Sequence, residues 1–210
     1  MSILKQLFIF LFVLWMAEVT YAEGSPVEDT SVNSMQLDVN LMLTKMEAGG
    51  NDEFHSGKAI AVHYNYYFNN WLAADIGLVT TAKTLDQDRT DVVGTYRASI
   101  QTSSVLLGIK PRYRFSAPYE IYGRMGLLYW QTELEVEEYF AEGIPGGIIS
   151  ATDKGTGYYA SIGGAHYVTE NVIVQLELRH MKQLDVFQGQ SDFPFDLTIN
   201  ALSIGVGYRF

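Results

Sequence analysis

Apolar side chains recur at every second position in successive stretches of this chain, and a period of two is typical of β-strands rather than helices. The final stretch alternates up to its last residue, with apolar positions at Leu202, Ile204, Val206, Tyr208 and Phe210. Seven stretches alternate clearly, and an eighth lies near residues 156–167, where Gly163 and Gly164 blur the pattern and indicate a bulge. The sequence therefore predicts an all-β fold of eight strands.

The connections between these strands alternate between short and long. The short ones are 69–70, 116–118 and 168–171, and the long ones are roughly 45–57, 81–101, 131–155 and 181–195. Such asymmetry is typical of an up-and-down antiparallel meander with two unlike ends. The Asn69-Asn70 turn fits a tight hairpin, since asparagine tolerates positive φ. Leu197 and Ile199 are out of phase with Leu202, which predicts a bulge or a loop boundary near Asn200.

The two faces of the predicted strands differ in kind. One face is aliphatic at strand centres, the pattern of a wall that faces hydrocarbon. The other combines glycines, such as Gly108 and Gly205, with charges of both signs, which fits the crowded interior of a narrow barrel. The charges assigned to this lumen network are Asp38, Asp75, Lys110, Arg112, Glu120, Arg124, Glu177 and Arg179. We predict an eight-stranded antiparallel up-and-down transmembrane β-barrel across residues 35–210.

Aromatic residues collect beside the short connections. Because rings prefer the headgroup level of a bilayer, they are predicted to form an aromatic girdle at the periplasmic interface: Tyr66, Phe68, Trp71, Tyr113, Phe115, Tyr119, Tyr167, Tyr208 and Phe210. A second, looser group of Tyr129, Trp130, Tyr158 and Tyr159 is expected at the opposite interface. Lipid leaves no strand edge unpaired, so the last strand is expected to pair with the first, residues 36–44.

The N-terminus has the layout of a cleaved secretory signal peptide. Lys5 precedes an apolar run from Leu7 to Ala17, and Thr20-Tyr21-Ala22 places small residues before a cleavage site. An uncleaved anchor helix is the alternative, but Glu18 closes the run early. The expected organisation is a signal peptide over 1–22, a short polar periplasmic tail over 23–34, and a barrel over 35–210 in the Gram-negative outer membrane, reached through the general secretory route.

Charge and composition narrow the range of partners. The formal net charge is −10, which disfavours nucleic acid because its phosphates require basic surfaces. The chain has no cysteine, so disulfides and thiolate metal sites are excluded, and we expect neither a cofactor nor a metal. The expected partners are outer-membrane lipid and lipopolysaccharide, the barrel-assembly machinery through the C-terminal strand that ends in Phe210, and a host or envelope surface ligand.

The signal peptide, the alternating strands, the contrast of short turns with long loops, and the terminal GVGYRF resemble the small outer-membrane barrels of Gram-negative bacteria. The resemblance is to the OmpA-type transmembrane domain and its stand-alone relatives, including OmpX-like barrels and accessory colonisation factors. Residues 160–180, ASIGGAHYVTENVIVQLELRH, are similar to that group's strand–turn–strand. The resemblance covers residues 35–210 and implies paired interior Glu and Arg side chains. It does not extend to the peptidoglycan-binding domain that the OmpA type often adds.

Histidines and acidic loops are the candidates for chemistry. His63 alternates inward and can hydrogen-bond Asp75, which favours a structural role. His180 lacks a neighbouring serine pattern, and His55 lies in a predicted loop, so no catalytic set is predicted. Two interpretations apply to the acidic residues of the third long loop, namely a site for Ca²⁺ or Mg²⁺ or a protruding strand pair kept soluble by charge. We prefer the second for Glu133, Glu135, Glu137, Glu138 and Glu142.

The expected function is surface interaction, in adhesion, colonisation or envelope integrity, through acidic extracellular loops above a polar packed lumen. Two other functions remain open, a narrow channel for small solutes or ions and a lipid-modifying outer-membrane enzyme. The structural alternative is a soluble lipocalin-like barrel whose apolar face points inward.

Overall fold

The protein is built from antiparallel β-strands in the part of the chain that a computed structural model describes, residues 34–49, 55–85, 89–90, 94–116, 118–140, 145–188 and 194–210. The strands are β1 (Ser34–Ala48), β2 (His55–Tyr67), β3 (Leu72–Thr81), β4 (Thr84–Leu85), β5 (Arg89–Thr90), β6 (Gly94–Ser116), β7 (Tyr119–Phe140), β8 (Pro145–Tyr167), β9 (Val172–Val186) and β10 (Phe195–Arg209). No helix in these ranges is long and apolar enough to cross a membrane. The predicted signal peptide, and the predicted tail up to residue 33, lie outside the described residues.

The eight long strands form a closed ring. Neighbours follow the order β1, β2, β3, β6, β7, β8, β9, β10 and back to β1, because β3 pairs with β6 and β10 pairs with β1. The pairing of the last strand with the first runs from Gln36 opposite Arg209 to Ala48 opposite Leu197, as predicted. The short strands β4 and β5 add to β6 beyond the end of β3. The predicted all-β antiparallel fold is confirmed.

The ring is staggered. Cross-strand partners followed from Lys45 through every long strand in turn lead back to β1 at Met35, so the shear is 45 − 35 = 10 residues. This stagger tilts eight strands by about 40° from the barrel axis. Positions at equal depth therefore move by just over one residue from each strand to the next.

The segment 131–155, predicted as a long loop, is instead mostly strand. β7 and β8 stay paired as far out as Tyr139 and Pro145, with a register shift after Glu138. The predicted loop 81–101 is shortened in the same way, because β6 already begins at Gly94. These residues lack an apolar alternation, yet three adjacent strands satisfy one another's backbone groups without it. Glu133, Glu135, Glu137 and Glu138 thus lie on a protruding pair of strands, whereas Glu142 lies outside the described residues. That their charge keeps this pair soluble stays a prediction.

Two predicted irregularities are wrong. Gly163 and Gly164 keep a regular register with both neighbouring strands. β10 keeps its register with β9 from Leu197 past Asn200, and its register shift lies earlier, between Phe195 and Leu197. Leu197 and Ile199 leave the phase of the outer face because they point into an interior that is apolar at that depth. The change of phase therefore marks a change in the interior rather than in the backbone.

The first short turn is stabilised by a side chain. Asn69 Oδ1 accepts the backbone N–H groups of Trp71 at 3.0 Å and Leu72 at 2.9 Å. Non-glycine residues with positive φ are, in the described chain, Asp185 and Phe187. The positive φ expected at this turn is therefore wrong, and the asparagine acts through its amide oxygen instead.

Candidate functional site

The wall of the ring has its apolar face outside. Leu107, Leu127 and Leu178 point outward and are 57%, 70% and 58% exposed, whereas Lys110 and Glu177 are each 1% exposed. Such a wall suits hydrocarbon rather than water. The eight residues assigned to the lumen network all lie buried inside the ring: Asp38, Asp75, Lys110, Arg112, Glu120, Arg124, Glu177 and Arg179.

Arg124 is the centre of this interior. Its guanidinium donates to carboxylates on three other strands, at 2.7 Å to Asp38 Oδ2, 2.5 Å to Asp75 Oδ1 and 3.1 Å to Glu177 Oε2. A fourth hydrogen bond reaches Asn65 Oδ1 at 3.1 Å. The rigid fork of donors on arginine allows one side chain to serve acceptors in several directions. Arg124 therefore joins strands that do not neighbour one another.

Two further cations balance the charge of this layer. Lys110 Nζ lies 3.3 Å from Asp38 Oδ2, and Arg179 Nη2 lies 2.6 Å from Glu177 Oε1. With the central arginine, three cations face the carboxylates of Asp38, Asp75 and Glu177. Buried charges require such partners because each one loses its hydration. The layer is an ion-paired packing element.

His63 extends the network as a neutral side chain. Its Nδ1 lies 2.9 Å from Asp75 Oδ1, the predicted contact, and its Nε2 lies 2.8 Å from Arg179 Nη2. Arginine can only donate, so Nε2 accepts and Nδ1 carries the proton that bonds Asp75. Gly77 faces His63 across the strand pair, and a Cβ there would stand 2.6 Å from the imidazole ring. The glycine thus makes room for the ring.

Neutral residues that the sequence analysis did not assign to the lumen network complete the hydrogen bonding of the three carboxylates. Gln36 donates to Asp38 at 2.7 Å, Tyr122 to Glu177 at 3.1 Å and Tyr159 to Asp75 at 2.8 Å. The signal that could have found two of them is parity, because Gln36 shares the inward face of Asp38, and Tyr122 that of Arg124.

A second ionic cluster lies at the short-turn end of the ring. Glu120 Oε2 lies 3.3 Å from Arg112 Nη1 and 3.9 Å from Arg114 Nη2, and it accepts the hydroxyl of Tyr167 at 2.7 Å. The Arg112 guanidinium stacks 3.9 Å from the centre of the Tyr67 ring. The prediction that Tyr167 belongs to the outer girdle is therefore wrong. Its side chain points inward, where its hydroxyl donates to a buried acceptor.

The remaining girdle residues lie on the outer surface, fully or partly exposed: Tyr66, Phe68, Trp71, Tyr113, Phe115, Tyr119, Tyr208 and Phe210. The second predicted aromatic group is split between the two faces. Tyr129 and Tyr158 point outward, whereas Trp130 and Tyr159 are buried inside. Successive side chains in a strand point to opposite faces. Of two aromatic residues adjacent in sequence, only one can therefore point outward to the membrane interface.

The interior becomes apolar towards the long-hairpin end. Trp130 is fully buried there, and its indole N–H donates to the backbone oxygen of Thr156 at 3.0 Å. Phe187, in the turn after β9, packs onto the same cluster with a left-handed φ of 63°. The cluster also includes Met42, Met46, Val79, Leu106, Leu128, Met181, Leu197 and Ile199. An apolar layer and an ionic layer together fill the ring.

Beyond the ring, β6, β7 and β8 continue as a three-stranded sheet, here called the protruding sheet (94–102, 131–140 and 145–156). One of its faces packs on the apolar layer through Ile100, Leu134 and Ala151. The opposite face carries Glu133, Glu135 and Glu137. Lys83 Nζ lies 2.9 Å from Glu135 Oε1, and this hydrogen bond raises the pKa of Lys83. Arg97, directly opposite Glu137, and Lys154, opposite Gln131, lie on the same face, so the face carries both signs of charge.

Among the described residues, His180 contacts an amide and an aromatic ring rather than a nucleophile or a carboxylate. His180 lies on the outer surface, with Nδ1 2.8 Å from Asn200 Oδ1 and its ring 6.5 Å from that of Tyr158. His55 begins β2 rather than lying in a loop. Across the described ranges, no group of three or more His, Cys, Asp or Glu residues is placed to hold a metal ion.

A closed antiparallel ring with an aliphatic exterior and a charged, packed interior defines a β-barrel of the membrane type. A family model of the outer membrane protein beta-barrel domain matches residues 9–210, and the chain belongs to this family. The predicted resemblance to small outer-membrane barrels is confirmed. Among curated proteins, none matches this chain.

Solved structures of small outer-membrane proteins share the fold. Ail, the attachment invasion locus protein of Yersinia pestis, is 14% identical with a TM-score of 0.54, over 86% of this chain and 100% of Ail. OprG of Pseudomonas aeruginosa is 13% identical with a TM-score of 0.52, over 85% of this chain and 96% of OprG. Neisserial surface protein A is 13% identical with a TM-score of 0.50, over 84% of this chain and 97% of the other.

Proposed function

We propose that the protein spans the outer membrane as a closed anchor and displays the protruding sheet for contact with other surfaces, in adhesion, colonisation or envelope integrity. The short turns lie in the periplasm and the long hairpins outside, which is the orientation of this architecture. The N-terminal segment directs export through the secretory route, and the last strand, ending in Phe210, engages the assembly machinery.

The observation that carries this proposal is the continued pairing of β7 and β8 beyond the ring. β9 pairs with β8 only from Gly157 onward, whereas β7 pairs with β8 out to Pro145. Residues 145–156 therefore extend along β8 for about 40 Å without β9, at 3.3 Å per residue. A sheet of this length presents its side chains in fixed positions, as a binding surface requires.

The filled interior argues for an anchor rather than a channel. Arg124 and Trp130, at the centres of the ionic and the apolar layer, are both 0% exposed, which supports a closed axis. Planar-bilayer recordings are expected to show no stable conductance steps for the wild-type protein, and steps at physiological salt would favour the channel. We also propose that the protein is not an enzyme, since His180 has an amide and a phenol as neighbours rather than a nucleophile and a carboxylate.

The test shortens the protruding sheet and leaves the ring intact. Glu133 and Thr152 are cross-strand partners, so residues 134–151 can be replaced by an Asn-Gly turn that joins them. Bacteria displaying the shortened protein are expected to lose most of their attachment to epithelial monolayers relative to bacteria with the wild type. A variant with Glu133, Glu135 and Glu137 changed to Gln separates the charge of the sheet from its length.

The control is surface level and folding, measured by heat-dependent migration of the barrel in detergent gels. The proposal is wrong if the shortened protein is folded, reaches the surface at the wild-type level and supports the same attachment.

A further inference from the structure

The inner face of the ring carries more positive than negative charge at its short-turn end. Arg112 and Arg114 of β6 and Arg209 of β10 lie there with the carboxylate of Glu120. Arg112 and Arg209 are 5% and 7% exposed, and the side chain of Arg114 is 22% exposed. The three form a group here called the arginine mouth (Arg112, Arg114 and Arg209).

Two tyrosine rings gather these guanidiniums in one place. Those of Arg112 and Arg209 lie 3.9 Å and 5.4 Å from the centre of the Tyr67 ring. Those of Arg114 and Arg209 lie 4.3 Å and 5.0 Å from the centre of the Tyr167 ring. The neighbouring ionic layer is balanced, with three cations and three carboxylates, so it does not offset the excess charge of the mouth. Buried cations favour nearby anions because they lose their hydration.

Other carboxylates at this end of the barrel face the solvent. Glu170, in the turn after β8, and Phe210, which carries the terminal carboxylate, are both exposed. The excess of positive charge therefore lies on the inside of the mouth, where water screens it least.

The first strand starts at this mouth. Ser34, the first described residue of β1, is directly opposite Tyr67 of β2, whose ring contacts two of the arginines. Ser34 is 4% and Tyr67 is 0% exposed, although both lie at the end of a strand. The rim is therefore covered where the chain enters the ring.

The segment that precedes Ser34 has the complementary charge. Residues 23–33, EGSPVEDTSVN, lie outside the described residues and contain Glu23, Glu28 and Asp29 but no lysine or arginine. Asp29 is five residues from Ser34, a reach of about 17 Å in an extended chain. The ring of Tyr67, where the arginines begin, is one strand spacing from Ser34, about 4.8 Å. The acidic pair at 28–29 is therefore within reach of the mouth.

We propose that residues 23–33 fold back from Ser34 into the arginine mouth, where Glu28 and Asp29 pair with its guanidiniums and cover the short-turn end of the ring. The inference rests on the predicted cleavage after Ala22 and not on the proposed surface contact. Arginine suits this role because its planar fork of donors matches a carboxylate. A tethered segment is favoured over a separate anion because the tether keeps its effective concentration in the millimolar range.

The test places a photoreactive side chain in the segment. Thr30 is replaced by benzoylphenylalanine in the mature chain, which is folded in phosphatidylcholine vesicles and irradiated, and crosslinked peptides are identified by mass spectrometry. Crosslinks are expected on residues 112–120, in strands that lie three and four steps from β1 around the ring. Glu28→Gln/Asp29→Asn is expected to lower their yield about tenfold. The control, Glu47→Gln/Glu138→Gln, removes two carboxylates at the opposite end and should leave the yield unchanged.

Arg114→Gln is the matching change in the mouth, since Arg114 is the least buried of the three arginines. It is expected to lower the yield about threefold, whereas Lys154→Gln, at the opposite end, should not. Raising NaCl to about 1 M shortens the Debye length to about 3 Å and should lower the yield of the wild type as well. Folding of each variant is checked first by heat-dependent migration. The segment variant tests the proposal even where Arg114→Gln does not fold.

Three results would each overturn the docking of the segment. They are equal yields from the wild type and the segment variant, crosslinks confined to the neighbouring strands β2 and β10, and loss of the crosslinks in vesicles that contain phosphatidylglycerol. The last result would show that an anionic lipid headgroup occupies the mouth instead.

Discussion

Arg124 of β7 and Asp38 of β1 meet at 2.7 Å, although four steps around the ring separate their strands in either direction. The two residues are therefore diametrically opposed, and one guanidinium bridges the full width of the interior. The same group contacts Asp75 and Glu177 on two other strands. The cross-section of the barrel is thus fixed by a side chain as well as by backbone pairing.

Arg124→Gln is expected to destabilise the folded barrel strongly. The change leaves buried carboxylates without their shared cation, and breaking a buried pair by removing one partner costs about 3–5 kcal/mol. Urea titration of the protein folded in lipid vesicles measures the free energy of unfolding. Lys83→Gln, which removes an exposed cation, is the control and should cause no measurable change. Equal stability of the two variants would show that the network contributes little.

Gly77→Ala is expected to disturb the contact between His63 and Asp75. The added Cβ would stand 2.6 Å from the imidazole ring, and overpacking of this kind costs about 1–3 kcal/mol. The control is Gly164→Ala, whose Cβ would have its nearest neighbour at 3.9 Å. In the double variant Gly77→Ala/His63→Ala, the loss attributed to crowding should disappear, and strictly additive losses would contradict the proposed contact.

Lipids with brominated acyl chains are expected to quench Trp71 and not Trp130. Trp71 is 59% exposed on the outer surface, whereas Trp130 is fully buried in the ring. Single replacements by Phe leave one of these two indoles at a time in the mature chain, and the fluorescence of each is measured in vesicles. Quenching of Trp130 as strong as that of Trp71 would mean that the two faces of the wall are assigned the wrong way round.

Hydrogen exchange is expected to divide the protruding sheet by strand. β7 lies between β6 and β8, so its amides over residues 131–138 should be protected although they lie beyond the ring. Over residues 145–156 of β8, which have β7 but not β9 as a partner, alternate amides should exchange fast. Uniformly fast exchange across 131–138 would contradict the strand assignment and support the loop that the sequence pattern predicts.

The sequence predicts the ring well because the alternation of apolar and polar residues is a local feature of each strand. Alternation along a strand decides which face each residue takes, so Lys110 and Leu107 could be assigned without knowledge of any neighbour. The partners of Arg124 could not be predicted, because they depend on the stagger of the whole ring. Tyr167 misleads for a related reason: an aromatic residue at a strand end suits lipid or lumen equally until Glu120 is placed beside it.

The length of the β7–β8 hairpin could not be predicted from the sequence either. Residues 131–155 lack the long apolar alternation of the ring strands, so the sequence pattern predicts a loop there. Pairing persists there because β6, β7 and β8 satisfy one another's backbone groups, a contribution that side-chain pattern does not report. The acidic residues were recognisable as exposed, but their shared face at Glu133, Glu135 and Glu137 follows only from the strand.

The aliphatic exterior also sets how freely the gene can vary. At an outward position such as Leu127 or Ile204, leucine, isoleucine and valine are nearly interchangeable, because hydrocarbon imposes no shape on its neighbour. Inward positions such as Asp38 or Gly77 are each constrained by one particular neighbouring side chain. Mutational drift should therefore proceed fast on alternate residues and slowly on the others, so that barrels like this one diverge to 13% or 14% identity while keeping the same ring.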